Sequence, residues 1–168
     1  MDRIQRSQGS MGSDPVTIGW REWISLPDLG IDRLKVKVDT GARTSALHAF
    51  IVEPFVHDNG TDWVRFGVHP AQRSTKKQIV CEAPILDRRK VRDSGGHQEE
   101  RFVIESAVML GPEIMRIELT LTARDDMLFR MLLGRTAMRG RYVVDPSRSY
   151  VFGKKKMKQR ARQEDSNG

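Results

Sequence analysis

Two segments of the chain alternate strictly between apolar and polar residues. In residues 34–38, Leu, Val and Val alternate with two lysines, and in residues 117–122, Ile, Leu and Leu alternate with Glu and two threonines. A period of two residues turns successive side chains to opposite faces of a β-strand. Each segment therefore predicts a strand, and the first of them, predicted to be half-buried, runs directly into Asp39.

Turn residues divide the rest of the chain into further short segments. Asp58-Asn59-Gly60 predicts a hairpin turn, because Asn and Gly accept positive φ at low cost. Residues 93–97 are predicted to form the tip of a long hairpin, and Gly111-Pro112 a second turn. Apolar or β-branched runs that predict strands cover residues 16–24, 46–56, 63–68, 78–83, 85–92, 98–110, 128–133, 142–144 and 149–152. A short helical turn is expected at residues 135–139.

Many short strands separated by turn residues are typical of a small barrel or a sandwich. The pattern contains no internal repeat and no long helical segment, and the triplet Asp-Thr-Gly occurs once. The sequence therefore predicts an all-β domain over residues 16–153, between a flexible leader at 1–15 and a disordered tail at 154–168.

Length and composition fit a cytoplasmic globular protein. The chain has 168 residues, of which 38% are hydrophobic and 30% charged, so one domain with a normal core is expected. No apolar run approaches the ~20 residues of a membrane span. The polar N-terminus does not resemble a signal peptide. A lone cysteine, Cys81, cannot form an intrachain disulfide and is expected to be an inert core residue.

The net charge of +7 is concentrated at one end, since residues 154–168 carry +4 of it. A basic tail of this kind is more often a solvated, disordered end than a binding segment. It could also hold the protein near RNA or the ribosome through weak phosphate contacts. Both interpretations stay open at this point.

Asp39-Thr40-Gly41 is the motif with a chemical interpretation. A strand end holds a carboxylate at a fixed point, Gly41 lets another backbone approach closely, and the Thr40 hydroxyl can hydrogen-bond across an interface. Two such carboxylates side by side share one proton, so that one acts as base on a water and the other as acid on the carbonyl oxygen. With one motif per chain, an aspartic-peptidase site would require a homodimer.

Two further features accompany this motif. Leu132-Leu133-Gly134-Arg135 follows about ninety residues later, and the Gly95-Gly96 hairpin lies between them. This order resembles the retropepsins. Residues 39–49, Ser94-Gly95-Gly96-His97 and residues 133–138 are more narrowly similar to a retropepsin-like bacterial family formerly named putative ATP-dependent zinc proteases, of the RimK-associated type.

The resemblance implies a closed β-barrel of retropepsin type, with at most one short helix, and a homodimeric aspartic endopeptidase. It implies catalytic roles for Asp39, Thr40 and Gly41. The other implied roles are substrate binding by Ala42, Arg43, Gly95, Gly96 and His97, and structural support by Gly134 and Arg135. Since family members are linked to ligases that add glutamates to a ribosomal protein, it also implies a peptide or protein substrate with glutamate-rich tails.

Two features bear on the alternatives. The old family name suggests zinc and ATP, but the sequence has neither a phosphate-loop motif nor His-Glu-x-x-His, and its histidines and cysteine lack the usual zinc spacings. We therefore expect no cofactor and no metal, with a zinc-dependent protease or a non-catalytic RNA- or ribosome-docking module as the rival interpretations. Arg43 stands where viral retropepsins usually carry an acidic residue, and we hypothesise that it pairs with acidic substrate side chains.

Overall fold

The computed structural model describes residues 14–92, 95–123 and 128–153. The predicted tail and residues 93 and 94 of the predicted hairpin tip lie outside these residues, as does most of the predicted leader. The strands are β1 (Val16–Ile18), β2 (Arg21–Leu26), β3 (Ile31–Val38), β4 (Ser45–His48), β5 (Ile51–Val56), β6 (Asp62–Val68), β7 (Ile79–Pro84), β8 (Asp87–Arg92), β9 (Gln98–Leu110), β10 (Glu113–Thr122), β11 (Met131–Leu133) and β12 (Tyr142–Val144). A 3₁₀ turn covers Pro27–Leu29, and α1 covers Arg135–Met138.

Six strands form a closed barrel, as the resemblance implied. The order is β10-β4-β11-β3-β2-β9, and the antiparallel pairing of β9 with β10 closes the ring. Two of the pairings are parallel, β10 with β4 and β11 with β3. Closure of the sheet on itself removes its free edges, and β8 extends from β9 outside the ring.

The barrel interior is filled by the apolar positions of the alternating strands. Leu34, Val36 and Val38 of β3 are all buried, whereas the lysines between them are partly or fully exposed. The two strands predicted from strict alternation are thus confirmed, at residues 31–38 and 113–122. The largest fully buried side chains are Phe66, Ile18, Ile24, Leu26, Ile31, Leu34, Leu47, Ile104, Leu110, Leu119, Met131 and Leu133.

Two smaller units adjoin the barrel. Strands β5, β6 and β7 form an antiparallel sheet, and the predicted turn at 58–60 joins the first two, with Gly60 at φ +83°. The chain ends meet in a parallel pair of β1 with β12. After β12, residues 145–153 cross β2, because the Trp20 N–H donates to the Arg148 carbonyl and the Tyr150 N–H donates to the Arg21 carbonyl, both at 3.0 Å.

Some predicted boundaries are wrong. The run at 16–24 is two strands, since the chain changes sheet at Gly19, where an added Cβ would lie within 3 Å of the Arg148 backbone. The strand predicted at 149–152 does not form, because Tyr150 has a φ of 50° that breaks an extended conformation. The run at 46–56 divides between the barrel and the smaller sheet, and that at 128–133 is a strand only from Met131. No helix in the described residues is long and apolar enough to cross a membrane.

Candidate active site

Asp39 lies immediately beyond β3, in a loop that starts at the core of the barrel. Its backbone N–H donates to the Leu133 carbonyl at 2.9 Å, which continues the parallel pairing of β3 with β11. The chain then turns, and the Ala42 N–H donates to the Asp39 carbonyl at 3.2 Å. The Gly41 N–H donates to Asp39 Oδ1 at 3.0 Å, so the carboxylate is held by its own turn. Asp39 is half-buried, whereas Thr40 and Gly41 are exposed.

The loop that follows Asp39 is hydrogen-bonded to the start of α1. The Arg135 N–H donates to the Ala42 carbonyl at 2.8 Å, and both the N–H and the hydroxyl of Thr136 donate to the Arg43 carbonyl, at 3.1 and 2.9 Å. Because two of these bonds join backbone groups that are more than ninety residues apart in sequence, the position of the loop is fixed by the tertiary fold rather than by its own residues.

Gly134 makes this contact possible. A Cβ added to it would lie 2.6 Å from the Thr44 carbonyl carbon and 2.9 Å from both the Arg43 oxygen and the Ser45 nitrogen. These are backbone atoms, so a side chain here would push the loop away. The Gly134 N–H also donates to the buried Ser45 hydroxyl at 2.9 Å. Gly134 therefore permits a close backbone approach at this position, although its φ of −83° is open to any residue.

The guanidinium of Arg135 contacts the other side of the same loop. Its Nη1 donates to the carbonyls of Thr40 and Gly41, at 3.3 and 3.1 Å. A charged donor on two backbone carbonyls limits the rotation of the turn that carries the Asp39 carboxylate. The structure thus brings Asp39, Thr40 and Gly41 together with Gly134 and Arg135.

The hairpin of β8 and β9 carries the other predicted substrate contacts. Gly95, Gly96 and His97 are all exposed at its tip, and Gly96 has a φ of +84° that favours glycine. The two strands pair without interruption from Asp87 with Val103 to Arg92 with Gln98. The predicted hairpin is therefore present in the described residues.

A groove of about 620 Å³ lies between this hairpin and the loop after Asp39. The described residues that line it come from the loop, the stem of the hairpin, β10 and the α1 region, and neither Asp39 nor the tip residues Gly95, Gly96 and His97 are among them. The lining residues are Arg43, Thr44, Arg89, Lys90, Val91, Arg116, Ile117, Glu118, Thr136, Ala137 and Arg141. Cations thus far outnumber carboxylates in the lining.

Two of the five cations are already paired within the chain. Arg89 donates to Glu118 at 2.9 Å and to Asp87 at 3.0 Å, and these hydrogen bonds raise the pKa of Arg89. Arg116 is paired with Glu105 and, at 3.1 Å, with Asp28, and its pKa is raised in the same way. Carboxylates thus balance the charges of both arginines and hold their side chains in place.

The remaining three cations have no such partner in the part of the chain that the structure describes. Arg43, Lys90 and Arg141 form no ion pair with a described carboxylate. Sequence reasoning identified Arg43 but not the other four groove cations. Their signal in the sequence is weak, because charged residues on a strand usually indicate only a solvated face.

The histidines and the cysteine are dispersed. Within residues 14–92, 95–123 and 128–153, no three His, Cys, Asp or Glu side chains form a group that could hold a metal ion. His69 stacks on Phe50 with a centroid distance of 4.2 Å, and His57 stacks on Trp63 at 4.4 Å. Cys81 is buried, and its burial raises the pKa of the thiol to about 11.

Comparison with known proteins agrees with this architecture. A model of the RimB-like family, described as retropepsin-like aspartic endopeptidase RimB, matches residues 17–155. Proteins named probable alpha-L-glutamate ligase are 46% identical in Shewanella pealeana and 49% identical in Parasynechococcus marenigrum, over 86% and 82% of this chain. This chain covers only 31% and 29% of their lengths.

A solved structure shows the same fold. A protein of unknown function from Legionella pneumophila subsp. pneumophila str. Philadelphia 1 superposes with a TM-score of 0.68 and is 27% identical in sequence. The match covers 82% of this chain and 98% of the Legionella chain. The fold is therefore shared beyond the present sequence.

Proposed function

Since this chain belongs to the RimB-like family of retropepsin-like aspartic endopeptidases, we propose that it hydrolyses peptide bonds as a homodimer through the Asp39 carboxylates of two copies. The observation that carries this proposal is the loop of Asp39, fixed by the backbone of Leu133 and by the Arg135 guanidinium. A carboxylate held this firmly at a strand end suits a reaction that depends on position.

The second carboxylate comes from a second copy, because Asp-Thr-Gly occurs once in the chain. A twofold axis beside the two loops would place the Asp39 side chains together. Two adjacent carboxylates cannot both ionise readily, so the pair holds one proton. One member then accepts a proton from water while the other donates its proton to the carbonyl oxygen of the scissile bond.

The tetrahedral intermediate collapses when the carboxyl that took a proton from water gives it to the nitrogen of the leaving group, while the other carboxylate takes a proton from a hydroxyl of the intermediate. The C–N bond breaks, the carbonyl re-forms as a carboxyl group, and the pair again holds one proton. Thr40 and Gly41 contribute the turn that holds the carboxylate. The hairpin tip, with Gly95, Gly96 and His97, closes over the substrate and limits the access of water.

We place the substrate in the groove between the hairpin stem and the loop, and propose that it carries carboxylates. Arg43, Lys90 and Arg141 offer cations with no ion-pair partner among the described residues. A guanidinium binds a carboxylate in a bidentate fork, whereas an ammonium acts as a point charge. The matched relatives are named for glutamate ligation, which supports a glutamate-rich peptide, such as the tail of a ribosomal protein, as the natural substrate.

The test compares wild type with Asp39→Asn on glutamate-rich peptides, each with a metal chelator present. We expect cleavage by the wild type and a loss of at least about a hundredfold in the variant, since the pair loses its acid–base function. Circular dichroism and light scattering would establish that the variant is folded and dimeric. Equal cleavage by both proteins would exclude the dyad. Loss of wild-type activity with chelator, restored by zinc, would favour the metal-dependent alternative.

The substrate class is tested separately with Arg43→Ala. We expect KM for a glutamate peptide to rise on the order of tenfold, with little change for the matching glutamine peptide, because one charge-assisted contact is lost. Arg92→Ala is the matched control, since Arg92 is exposed on β8 but does not line the groove. An unchanged preference for glutamate over glutamine in Arg43→Ala would remove Arg43 from the substrate site without affecting the dyad.

A further inference from the structure

The outer face of β2 and β3 carries a second, separate concentration of charge. Register places Arg21 opposite Lys37 and Trp23 opposite Lys35, on the side that faces away from the core. Tyr150, from the segment that crosses β2, lies against Trp23 with a centroid distance of 5.8 Å. We refer to these five residues as the cation–aromatic face.

Aromatic rings hold the cations of this face. The Arg21 guanidinium carbon lies 4.9 Å from the Tyr150 ring centroid, and it also lies 4.6 Å from the ring of Trp20. Lys35 Nζ lies 5.2 Å from the Trp23 ring and 5.9 Å from that of Tyr150. A cation on an aromatic ring keeps its charge available to solvent while losing conformational freedom, so these groups are positioned before any ligand arrives.

The face continues into a groove of about 400 Å³ beside residues 70–79. Trp23 and Lys35 line both, and the groove adds the cations Arg33, Arg73 and Lys77 with one carboxylate, Asp32. The positive charge therefore extends from the strands into a concave surface.

Not every basic side chain outside this region is paired, since Arg43, Lys90 and Arg141 form no ion pair with a described carboxylate, but several are. Arg65, Arg89, Arg101 and Arg116 are each paired with a carboxylate. In the described part of the chain, by contrast, the cations of the cation–aromatic face and of its groove form no ion pair. Their charge is left uncompensated, which attracts polyanions rather than stabilising the fold.

The backbone conformation of Tyr150 is a further indication that its side chain is held in one position on this face. Its φ of 50° is a left-handed conformation that is unfavourable for a residue with a Cβ. The conformation is maintained by the bond from the Tyr150 N–H to the Arg21 carbonyl and by that from the Val151 N–H to the buried Glu22 carboxylate at 3.2 Å. Strain of this kind persists where the surrounding structure requires the side chain in one place.

We propose that the cation–aromatic face and its groove bind single-stranded RNA. Cations spaced along a strand pair suit consecutive phosphates, and the rings among them offer surfaces on which bases stack. An acidic peptide would use the cations but not the rings, which is why RNA fits better. The sequence that follows Gly153 adds six more basic residues directly after this face. This binding is independent of peptide hydrolysis.

The test measures fluorescence anisotropy of a labelled oligouridine RNA of about 12 nucleotides, a length that spans such a surface. The full-length chain is titrated at several salt concentrations. Lys35→Gln with Lys77→Gln removes two charges from the proposed surface. Arg88→Gln with Arg92→Gln is the matched control, which removes two charges from β8 instead. Arg88 also lies over an aromatic ring, since its guanidinium carbon is 5.0 Å from the centroid of Phe102. A third variant changes Lys154, Lys155, Lys156 and Lys158 to Gln.

We expect the Lys35 and Lys77 variant to bind at least about tenfold more weakly, with a salt slope lower by about 1.4, since each lost phosphate contact contributes about 0.7. The control on β8 should keep the wild-type slope, and Tyr150→Leu should weaken binding through the lost ring. The proposal is overturned if the two double variants bind alike, or if only the variant of residues 154–158 loses binding. Equal competition by oligoglutamate would show a surface for acidic peptides instead.

Discussion

Replacement of Gly134 by Ala tests whether the loop of Asp39 is positioned by close backbone approach. The added Cβ would lie 2.6 Å from the Thr44 carbonyl carbon, about 1 Å closer than an ordinary van der Waals contact. The loop has to retreat by a similar distance, which would strain the two bonds from Thr136 to the Arg43 carbonyl. Overpacking of this kind costs roughly 1–3 kcal/mol of unfolding free energy.

The expected effect on catalysis is larger than the effect on stability. A shift of about 1 Å in a positioned catalytic group can cost on the order of a hundredfold in rate. The assay is kcat/KM on a glutamate-rich peptide, measured beside urea unfolding of the same preparation. We expect a fully folded protein at the assay temperature with greatly reduced activity.

Gly60→Ala is the matched control. Gly60 has a φ of +83° at an exposed hairpin turn, with nothing within 4 Å of an added Cβ. Alanine there should cost about 1–2 kcal/mol through backbone strain alone and leave activity unchanged. Wild-type kcat/KM in Gly134→Ala, together with the expected destabilisation of Gly60→Ala, would refute the idea that this contact positions Asp39.

Three further predictions concern residues other than Gly134. Arg135→Met removes the donor to two loop carbonyls, so kcat should fall about tenfold or more while the urea midpoint changes little, and the kcat of Arg135→Lys should lie between those of wild type and Arg135→Met. A large loss of stability with normal kcat would contradict this. Glu22→Ala leaves two backbone N–H groups without their buried acceptor, so the unfolding free energy measured in urea should fall by about 2–4 kcal/mol. An unchanged urea midpoint would be inconsistent with these hydrogen bonds. Because burial raises the pKa of Cys81 to about 11, a thiol reagent at pH 8 should react slowly with Cys81 until denaturant is added. Reaction at the rate of free cysteine would show that the Cys81 thiol is accessible in the folded protein.

The strands could be predicted from the sequence where alternation is strict. The patterns at 34–38 and 117–122 gave correct strands because their apolar positions lie in the core, although Thr120 and Thr122 at the end of the second strand are buried as well. The sequence of residues 149–152 also predicts a strand, but no strand forms there, because tertiary contacts hold Tyr150 in a left-handed conformation. Closure depends on parallel pairings between distant strands, such as β10 with β4, which local periodicity cannot show.

The predicted site residues divide in a similar way. Asp39, Gly134 and Arg135 were found because the motifs are local in sequence, and the fold brings them together. Lys90 and Arg141 were missed, since only the closed barrel places them beside the loop of Asp39. Whether these residues act on a substrate stays a prediction for the assays above.

Mixing of wild type with folded Asp39→Asn tests the shared active site most directly. With the variant in about threefold excess and random pairing, only about one quarter of wild-type chains pair with another wild-type chain. Activity per wild-type chain should then fall roughly fourfold after the chains exchange, but not when Gly60→Ala, a variant with an intact dyad, replaces Asp39→Asn. Activity that stays proportional to wild-type concentration would contradict a site built from two copies of Asp39.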